Sequence, residues 1–476
     1  MRRAVIARIA REELRALARN HVAAIACAIL ALLIVASVGL GLDRRAHVEG
    51  LRTHHQAASD AAFRAQPDRH PHRMVHYGQY VFRPLSALAF FDPGVDAYTG
   101  SMVFLEGHRQ NSANFSEARQ SSLLMRFGDL SPAFVLQVLA PLLMVFLAHG
   151  AIARERESGL LRVLLAQGVR PAEIILGKLA THLGLSLTLL APAALALAGL
   201  VAAGQTPAAP AGALLLVYAL YLAFWATLAV LVSSLFRRGR DALAALVSIW
   251  MALTIVLPRG LPELAALLHP QPTRIETDVA IHRDLKAIGD SHNPDDPYFA
   301  AYKARILRQY RVSRVEDLPV QWAGLVSYEG ERLTSALFDR YADAAFARES
   351  DQNRLVRAFS VVSPMLAVRQ GSSALAATDV ESHKDFLDQV EAHRYAFVQA
   401  LNRVQIETIP NQNAGPDPRV SADTWAGMPT FVYRAPDPVA RSGGAIGSAL
   451  AILLAWLAAL GLALRQIARR PLESFQ

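Results

Sequence analysis

The 476-residue chain is 53% hydrophobic and only 18% charged, below the roughly 25% of charged residues that is usual for soluble domains. Its apolar residues lie in blocks of Leu, Ala, Val and Ile separated by ordinary polar sequence, which excludes a purely soluble fold. The single cysteine, Cys27, excludes a disulfide framework within the chain.

Residues 1–20 predict a cytoplasmic interfacial helix that turns into a first membrane span, residues 21–42. Val5, Ile6, Ile9, Leu14 and Leu17 can face lipid on such a helix, while the arginines at positions 8, 11, 15 and 19 face the lipid headgroups. The first span is not a signal peptide, because its apolar run exceeds the roughly 7–15 residues of an h-region and no clean cleavage site follows.

Residues 43–131 form a first hydrophilic insertion that is rich in histidine. His70, His72 and His76 are weak candidates for a copper or zinc site, since imidazole suits both metals. Pro67 and Pro71 argue against a helical i, i+4 pairing of these histidines, and no cysteine assists. We therefore predict no metal site here and interpret the three histidines as solvated loop residues.

The second span, residues 132–153, leads into a cytoplasmic segment at 154–178. A charged cluster is followed there by a glycine and by a short amphipathic turn, whose apolar face is predicted to be covered by lipid or by a soluble subunit. The glycines that precede Lys178 do not have the spacing of a phosphate-binding loop, and Leu179 replaces the hydroxyl residue that would bind magnesium. No nucleotide site and no catalytic residue is predicted.

The remaining spans are predicted at 179–203, 211–236, 242–257 and 443–464, which gives an all-α polytopic membrane protein with six spans. The fifth is predicted to break at Pro258 and to continue as a short re-entrant or interfacial segment. The second insertion, 258–442, is predicted to be mostly helical, with one long helix over 320–359. Thr378 and Glu381 predict a capping box that opens a second helix, and 430–433 predict a short strand.

The charges predict the orientation in the membrane. Residues 1–20, 154–178, 237–241 and 465–476 hold 17 Lys and Arg against 7 Asp and Glu, whereas 43–131 and 258–442 hold 31 against 33. Short positive segments stay in the cytoplasm. Both termini are therefore predicted to be cytoplasmic and both insertions periplasmic, in a bacterial inner membrane. The net charge of +8 is explained by topology, and no nucleic-acid partner is predicted.

The cytoplasmic run Glu155-Arg156-Glu157-Ser158-Gly159-Leu160-Leu161-Arg162, followed by Gly177-Lys178, resembles the coupling region of ABC-2 type transporter permeases. It departs from the usual pattern in having Leu160 where threonine is common. The six-span layout, the interfacial helix and the stretches around 80–84, 91–95, 98–100 and 106–111 look like the subfamily with two large periplasmic insertions. The resemblance implies that these residues couple the chain to an ATPase: Arg154, Glu155, Arg156, Glu157, Gly159, Leu160, Leu161, Arg162, Leu164, Gly168 and Lys178.

The same resemblance implies the partners. They are cytoplasmic ABC ATPase subunits, which hold the ATP and Mg, and a second permease copy or a homologous permease, with membrane lipid around them and a periplasmic protein as a further candidate. The chain itself needs no cofactor and is not an enzyme.

Three functions follow from these features. The preferred one is a permease subunit, driven by a separate ATPase, that exports a substrate across the inner membrane; its substrate-binding residues are unknown. The alternative is a mechanotransmission subunit that acts on a periplasmic partner without moving a substrate through itself. A membrane-anchored periplasmic enzyme is the third, and the lack of a Gly-x-Ser-x-Gly or His-Glu-x-x-His motif opposes it.

Overall fold

A computed structural model describes residues 2–113, 130–291, 293, 295–412, 415 and 417–469. Within these residues, six helices are long and apolar enough to cross a membrane, so the predicted fold class is confirmed. In chain order the elements are α1 (Arg3–Arg19), α2 (His21–Arg64), α3 (Pro71–Tyr77), β1 (Gln79–Phe82), β2 (Met102–Leu105), α4 (132–148), α5 (Ala153–Glu157), α6 (Leu160–Ala166), α7 (Pro171–Ala202), α8 (Ala208–Leu235), α9 (Gly239–Leu268), α10 (Arg274–Ile288), α11 (Pro297–Tyr310), α12 (Trp322–Ala358), α13 (Pro364–Leu375), α14 (Val380–Thr408), α15 (Asp423–Ala426) and α16 (Pro438–Ala468).

Helix α8 is the central helix of the membrane bundle. Its side chains at Leu214, Tyr218, Tyr221 and Trp225 recur at three- to four-residue intervals and are fully buried, against α4, α7, α9 and α16. Lipid-facing positions on the outer helices remain exposed, for example Leu195 on α7. Helix α2 continues unbroken from the first span through the first part of the insertion, as far as Arg64.

Two membrane helices carry π-helical turns, at Val135–Leu139 in α4 and at Ala252–Val256 in α9. A π turn frees backbone carbonyl groups, and side chains satisfy them here. The Trp250 indole donates to the Val138 carbonyl at 3.2 Å, the Tyr221 hydroxyl donates to the Gln137 carbonyl at 2.9 Å, and the Ser363 hydroxyl donates to the Leu253 carbonyl at 2.7 Å.

The predicted break of the fifth span is wrong. Helix α9 runs through Pro258 and Pro262 to Leu268. A proline ring normally clashes with the carbonyl four residues earlier, which for Pro258 is that of Thr254, and this residue lies in the π turn where the backbone is already widened.

The two insertions pack together into one outer region. The long helix is confirmed as α12, whereas two local predictions are wrong. Asp379 rather than Thr378 caps α14, and Thr378 Oγ1 instead donates to the Asp92 carbonyl at 2.9 Å, which joins the insertions. Residues 430–433 are irregular, because Phe431 and Tyr433 pack on Phe386 of α14 rather than pairing with a strand.

A hairpin that the sequence did not predict pairs β1 with β2 in antiparallel register, from Gln79 opposite Leu105 to Phe82 opposite Met102. It rests on α2, where the side chains of Gln56 and Ser59 bond to the hairpin backbone.

Candidate functional site

The segment after the second span, which was predicted to be cytoplasmic, folds as two short helices, α5 and α6, joined by Gly159. Gly159 has φ +79° and Gly168, just after α6, has φ +76°. Among the described residues, nothing lies within 4 Å of a Cβ built at either position. Both turns therefore favour glycine because their backbone is left-handed, and not because a side chain would lack space.

Helix α6 has two faces. Leu161 and Leu165 are buried in a small core with residues of α7, α8 and α16, which we call the α6 core. The prediction that lipid or a soluble subunit covers this apolar face is therefore wrong for these two residues. Leu164 is half-buried against the same core. Away from this core, Leu160 is 47% exposed and Val163 is 51% exposed, and Arg162 is exposed as well.

Two charged residues of α5 cap neighbouring membrane helices. The Arg156 guanidinium donates to the Phe236 carbonyl at 2.6 Å and to the Ser234 carbonyl at 3.1 Å, where α8 ends. The Glu157 carboxylate accepts from the Gly239 N–H at 3.1 Å, where α9 begins. Free carbonyls at a helix C-terminus favour a cation, and free N–H groups at an N-terminus favour an anion.

Lys178, which the resemblance places among the coupling residues, is 5% exposed, so its side chain lies inside the protein. Its Nζ lies 2.6 Å from a Glu13 oxygen of α1 and in contact with Glu155 of α5. His182, fully buried on α7, lies 3.5 Å from the other Glu13 oxygen. Burial alone would raise the pKa of Glu13, but the hydrogen bond with His182 and the charge of Lys178 lower it to about 2.

The N-terminal helix α1 is held on α7 rather than only on lipid. Ile9 packs where Gly177 leaves no side chain, since a Cβ there would lie 2.6 Å from Ile9 Cγ2. At the start of α1, the Arg2 side chain bonds the Glu173 carboxylate at 2.8 Å and the Gly168 carbonyl at 2.6 Å. The predicted lipid-facing role is therefore corrected for Ile9.

Several of the predicted coupling residues contact other parts of this chain. Glu155, Arg156, Glu157 and Lys178 bind side chains or helix ends of the same chain, and Arg154 lies 3.4 Å from His149 of the second span. Leu160 and Arg162 instead face outward, and together with Val163 they form a face that we call the α6 surface. The sequence reasoning missed Glu13, Arg2 and Val163; the two acids among the arginines of α1 were the available signal for Glu13.

The loop histidines are arranged differently from the prediction. Pro71 occupies the first position of α3 and does not block it, so His72 and His76 do lie at i and i+4 on one helix, with His70 as its N-cap. One ring nitrogen of each of His72, His76 and His108 lies within 4.8 Å of those of the other two.

Two family models match the chain. Residues 110–265 match the ABC-2 family transporter protein model, which covers the second to fifth spans and the α5–α6 segment. Residues 274–434 match a domain of unknown function, DUF3526, which corresponds to most of the second insertion. No curated protein matches the chain.

Proposed function

We propose, from the match of residues 110–265 to the ABC-2 family transporter protein model, that this chain is a permease subunit of that family and that separate cytoplasmic ATPase subunits drive it through α5 and α6. The observation that carries the proposal is the α6 surface. Two exposed apolar side chains and an exposed arginine lie on one side of a short helix whose opposite face is anchored in the α6 core. Such a surface suits a groove on a soluble partner.

The contacts behind the α6 surface provide a route for force. Helix α5 is bonded to the ends of α8 and α9 through Arg156 and Glu157, and to α7 through Glu155 and Lys178. A displacement of α6 by ATPase closure would therefore move the inner ends of three spans together. Switching between inward- and outward-open packings by such rigid-body movement is a common mode of conformational change.

The full assembly that we propose contains two permease chains, identical or homologous, with the transport pathway between them and an ATPase pair that holds ATP and Mg. The positive cytoplasmic segments support an inner-membrane location with both termini inside. Export is the direction that the resemblance to ABC-2 permeases supports.

A second candidate, mechanotransmission to a periplasmic protein, is favoured by the way the outer region enters the bundle. Helix α13 packs between the spans α8 and α16. The approach to α16 is close, because a Cβ at Gly371 would lie only 3.0 Å from the side chain of Ala449. Ser372 of α13 bonds the Tyr218 hydroxyl of α8 at 2.9 Å, and the Trp456 indole of α16 donates to the Val361 carbonyl at 2.8 Å. Movement of the spans would therefore reach the outer region.

The test is co-purification of the tagged chain with its ATPase from mild detergent, followed by an assay of ATP hydrolysis. Leu160→Ser/Val163→Ser should lose the ATPase, whereas Leu14→Ser, at a similarly exposed apolar position (54%) on α1, should retain it. Glu157→Ala should keep the ATPase bound but reduce the coupled response, because it removes only the cap of α9. ATPase retained by the α6 double variant would refute the proposal.

The two candidates differ in what stimulates hydrolysis. A permease that moves a substrate through itself is stimulated by a small molecule in proteoliposomes. A mechanotransmission subunit responds instead to a periplasmic protein added to the outer face.

A further inference from the structure

Helix α3 brings two imidazoles into register. His70 caps the helix by accepting from the His72 N–H through its Nδ1 at 3.1 Å, and Pro71 supplies a first residue that needs no N–H partner. His72 and His76 are then one turn apart on the same face, with their Nε2 atoms 3.2 Å apart.

A third imidazole comes from the turn after β2. The turn closes against α3 because the Gly107 N–H donates to the Val75 carbonyl at 3.1 Å, and any Cβ at Gly107 would overlap the Val75 side chain. His108 follows with φ +62°, a left-handed conformation that is uncommon for a residue with a side chain. Such backbone outliers cluster at functional sites, and this one places the His108 ring 5.5 Å from the His76 ring and 5.8 Å from the His72 ring.

The distances between the ring nitrogens of the three histidines suit a metal ion. Zinc–imidazole bonds of about 2.0–2.1 Å at tetrahedral angles place neighbouring ligand nitrogens about 3.4 Å apart. The His72–His76 pair is already at 3.2 Å, and the third nitrogen lies within 4.8 Å. We propose that His72, His76 and His108 bind a divalent transition-metal ion, Zn²⁺ or Cu²⁺, on the outer region of the protein.

The surroundings of His108 match the outer shell of a metal site. Glu331, a fully buried residue of α12, accepts from the His108 N–H at 2.7 Å and lies 3.2 Å from its Nδ1. A carboxylate at one imidazole nitrogen orients the ring and leaves the other nitrogen for the metal. Arg394 of α14 in turn pairs with Glu331 and donates to the Glu106 carbonyl at 3.0 Å, which fixes the turn that carries His108.

The donor set also selects the class of ion. Three imidazoles exclude calcium and magnesium, which require oxygen ligands, and favour copper and zinc. Three protein ligands leave a tetrahedral ion one open position. Because His76 is exposed, an ion could exchange with solvent or accept a ligand from a periplasmic molecule. This proposal does not depend on the function proposed above.

The experiment uses the full-length chain in detergent, purified with a tag that lacks histidine and stripped with EDTA. Zn²⁺ is titrated in competition with a chromogenic chelator, and Cu²⁺ is added for electron paramagnetic resonance. We expect one tight Zn²⁺ per chain and a Cu²⁺ spectrum that reports imidazole nitrogens. His76→Gln should weaken Zn²⁺ binding at least about 100-fold, and Glu331→Gln, as a positioning variant, about 10- to 100-fold.

The matched control is His54→Gln, which removes another exposed histidine of the same insertion but lies outside the cluster. Melting curves of both variants establish that each is folded, and His72→Gln replaces His76→Gln if the latter is not. Wild-type protein that fails to compete with the chelator at micromolar Zn²⁺ overturns the proposal. Equal Zn²⁺ affinity of His76→Gln and His54→Gln overturns it as well.

Discussion

Replacing Lys178 with methionine tests the cluster that joins α1, α5 and α7. The side chain of Lys178 is buried between the carboxylates of Glu13 and Glu155, which are 13% and 15% exposed. Lys178→Met keeps the length of the side chain but leaves two nearly buried carboxylates without their cation. Removal of one partner from a buried ion pair costs about 3–5 kcal/mol.

The cost of protonating a carboxylate gives a similar value for the loss of stability. In the folded variant, the repulsion between the two carboxylates is relieved if one of them binds a proton. At pH 7 this protonation costs about 3.7 kcal/mol for a group whose pKa in the unfolded chain is near 4.3. We therefore expect Lys178→Met to lower the free energy of unfolding by about 3–4 kcal/mol. The assay is titration of mixed micelles with SDS, followed by tryptophan fluorescence.

Two further variants make this reasoning refutable. The triple variant Glu13→Gln/Lys178→Met/Glu155→Gln should return to within about 1 kcal/mol of wild type, because neutral groups can replace a buried ion network at little cost. Arg15→Met, which breaks the exposed pair with Glu12, should cost less than about 0.5 kcal/mol. A triple variant as unstable as Lys178→Met would refute the assignment of the loss to unpaired charge.

Two more predictions concern the outer region. Burial, and secondarily the charge of Arg83, lowers the pKa of His383 to about 4. Between pH 6.5 and 4 the unfolded chain therefore binds a proton that the folded chain does not. The free energy of unfolding should fall by up to about 3 kcal/mol as the pH is lowered through this range. Thermal unfolding of His383→Gln across this range should show a shallower loss. Gly94→Ala should cost more than about 2 kcal/mol in the same thermal assay, because Gly94 has φ +50° and a Cβ would overlap the Thr378 carbonyl oxygen.

Each of these has an outcome that contradicts it. A pH dependence for His383→Gln that equals that of wild type would show that this imidazole titrates normally in the folded chain. The control for Gly94→Ala is Gly50→Ala, at a position in α2 with no described atom within 4 Å of a Cβ, which should be neutral or stabilising by about 1 kcal/mol. Equal losses at the two glycines would contradict the steric argument.

The membrane helices could be predicted because hydropathy alone determines which segments enter a bilayer. Details that depend on packing could not. Pro258 indicated a break, yet a preceding π turn lets α9 continue. Thr378 satisfied a local capping rule, but a hydrogen bond to the other insertion uses its hydroxyl and leaves Asp379 to cap α14.

The candidate sites, too, could be predicted only where a local sequence pattern indicates them, and not where packing decides. A motif identified the α5–α6 segment, but only the packing shows that Arg156 serves α8 while Leu160 faces outward. The histidine cluster was missed for two reasons. Proline was interpreted as a barrier to a helix that it in fact begins, and His108 is brought to α3 by a contact that no local pattern encodes.

Helix α2 has the dimensions of a lever arm. Its 44 residues span about 66 Å at 1.5 Å per residue, with the inner end beside α1 and the outer end beneath the β1–β2 hairpin. A tilt of about 5° about the inner end would carry the tip of a rigid helix of this length through about 6 Å. A small rotation at the membrane bundle would thus become a much larger displacement at the hairpin.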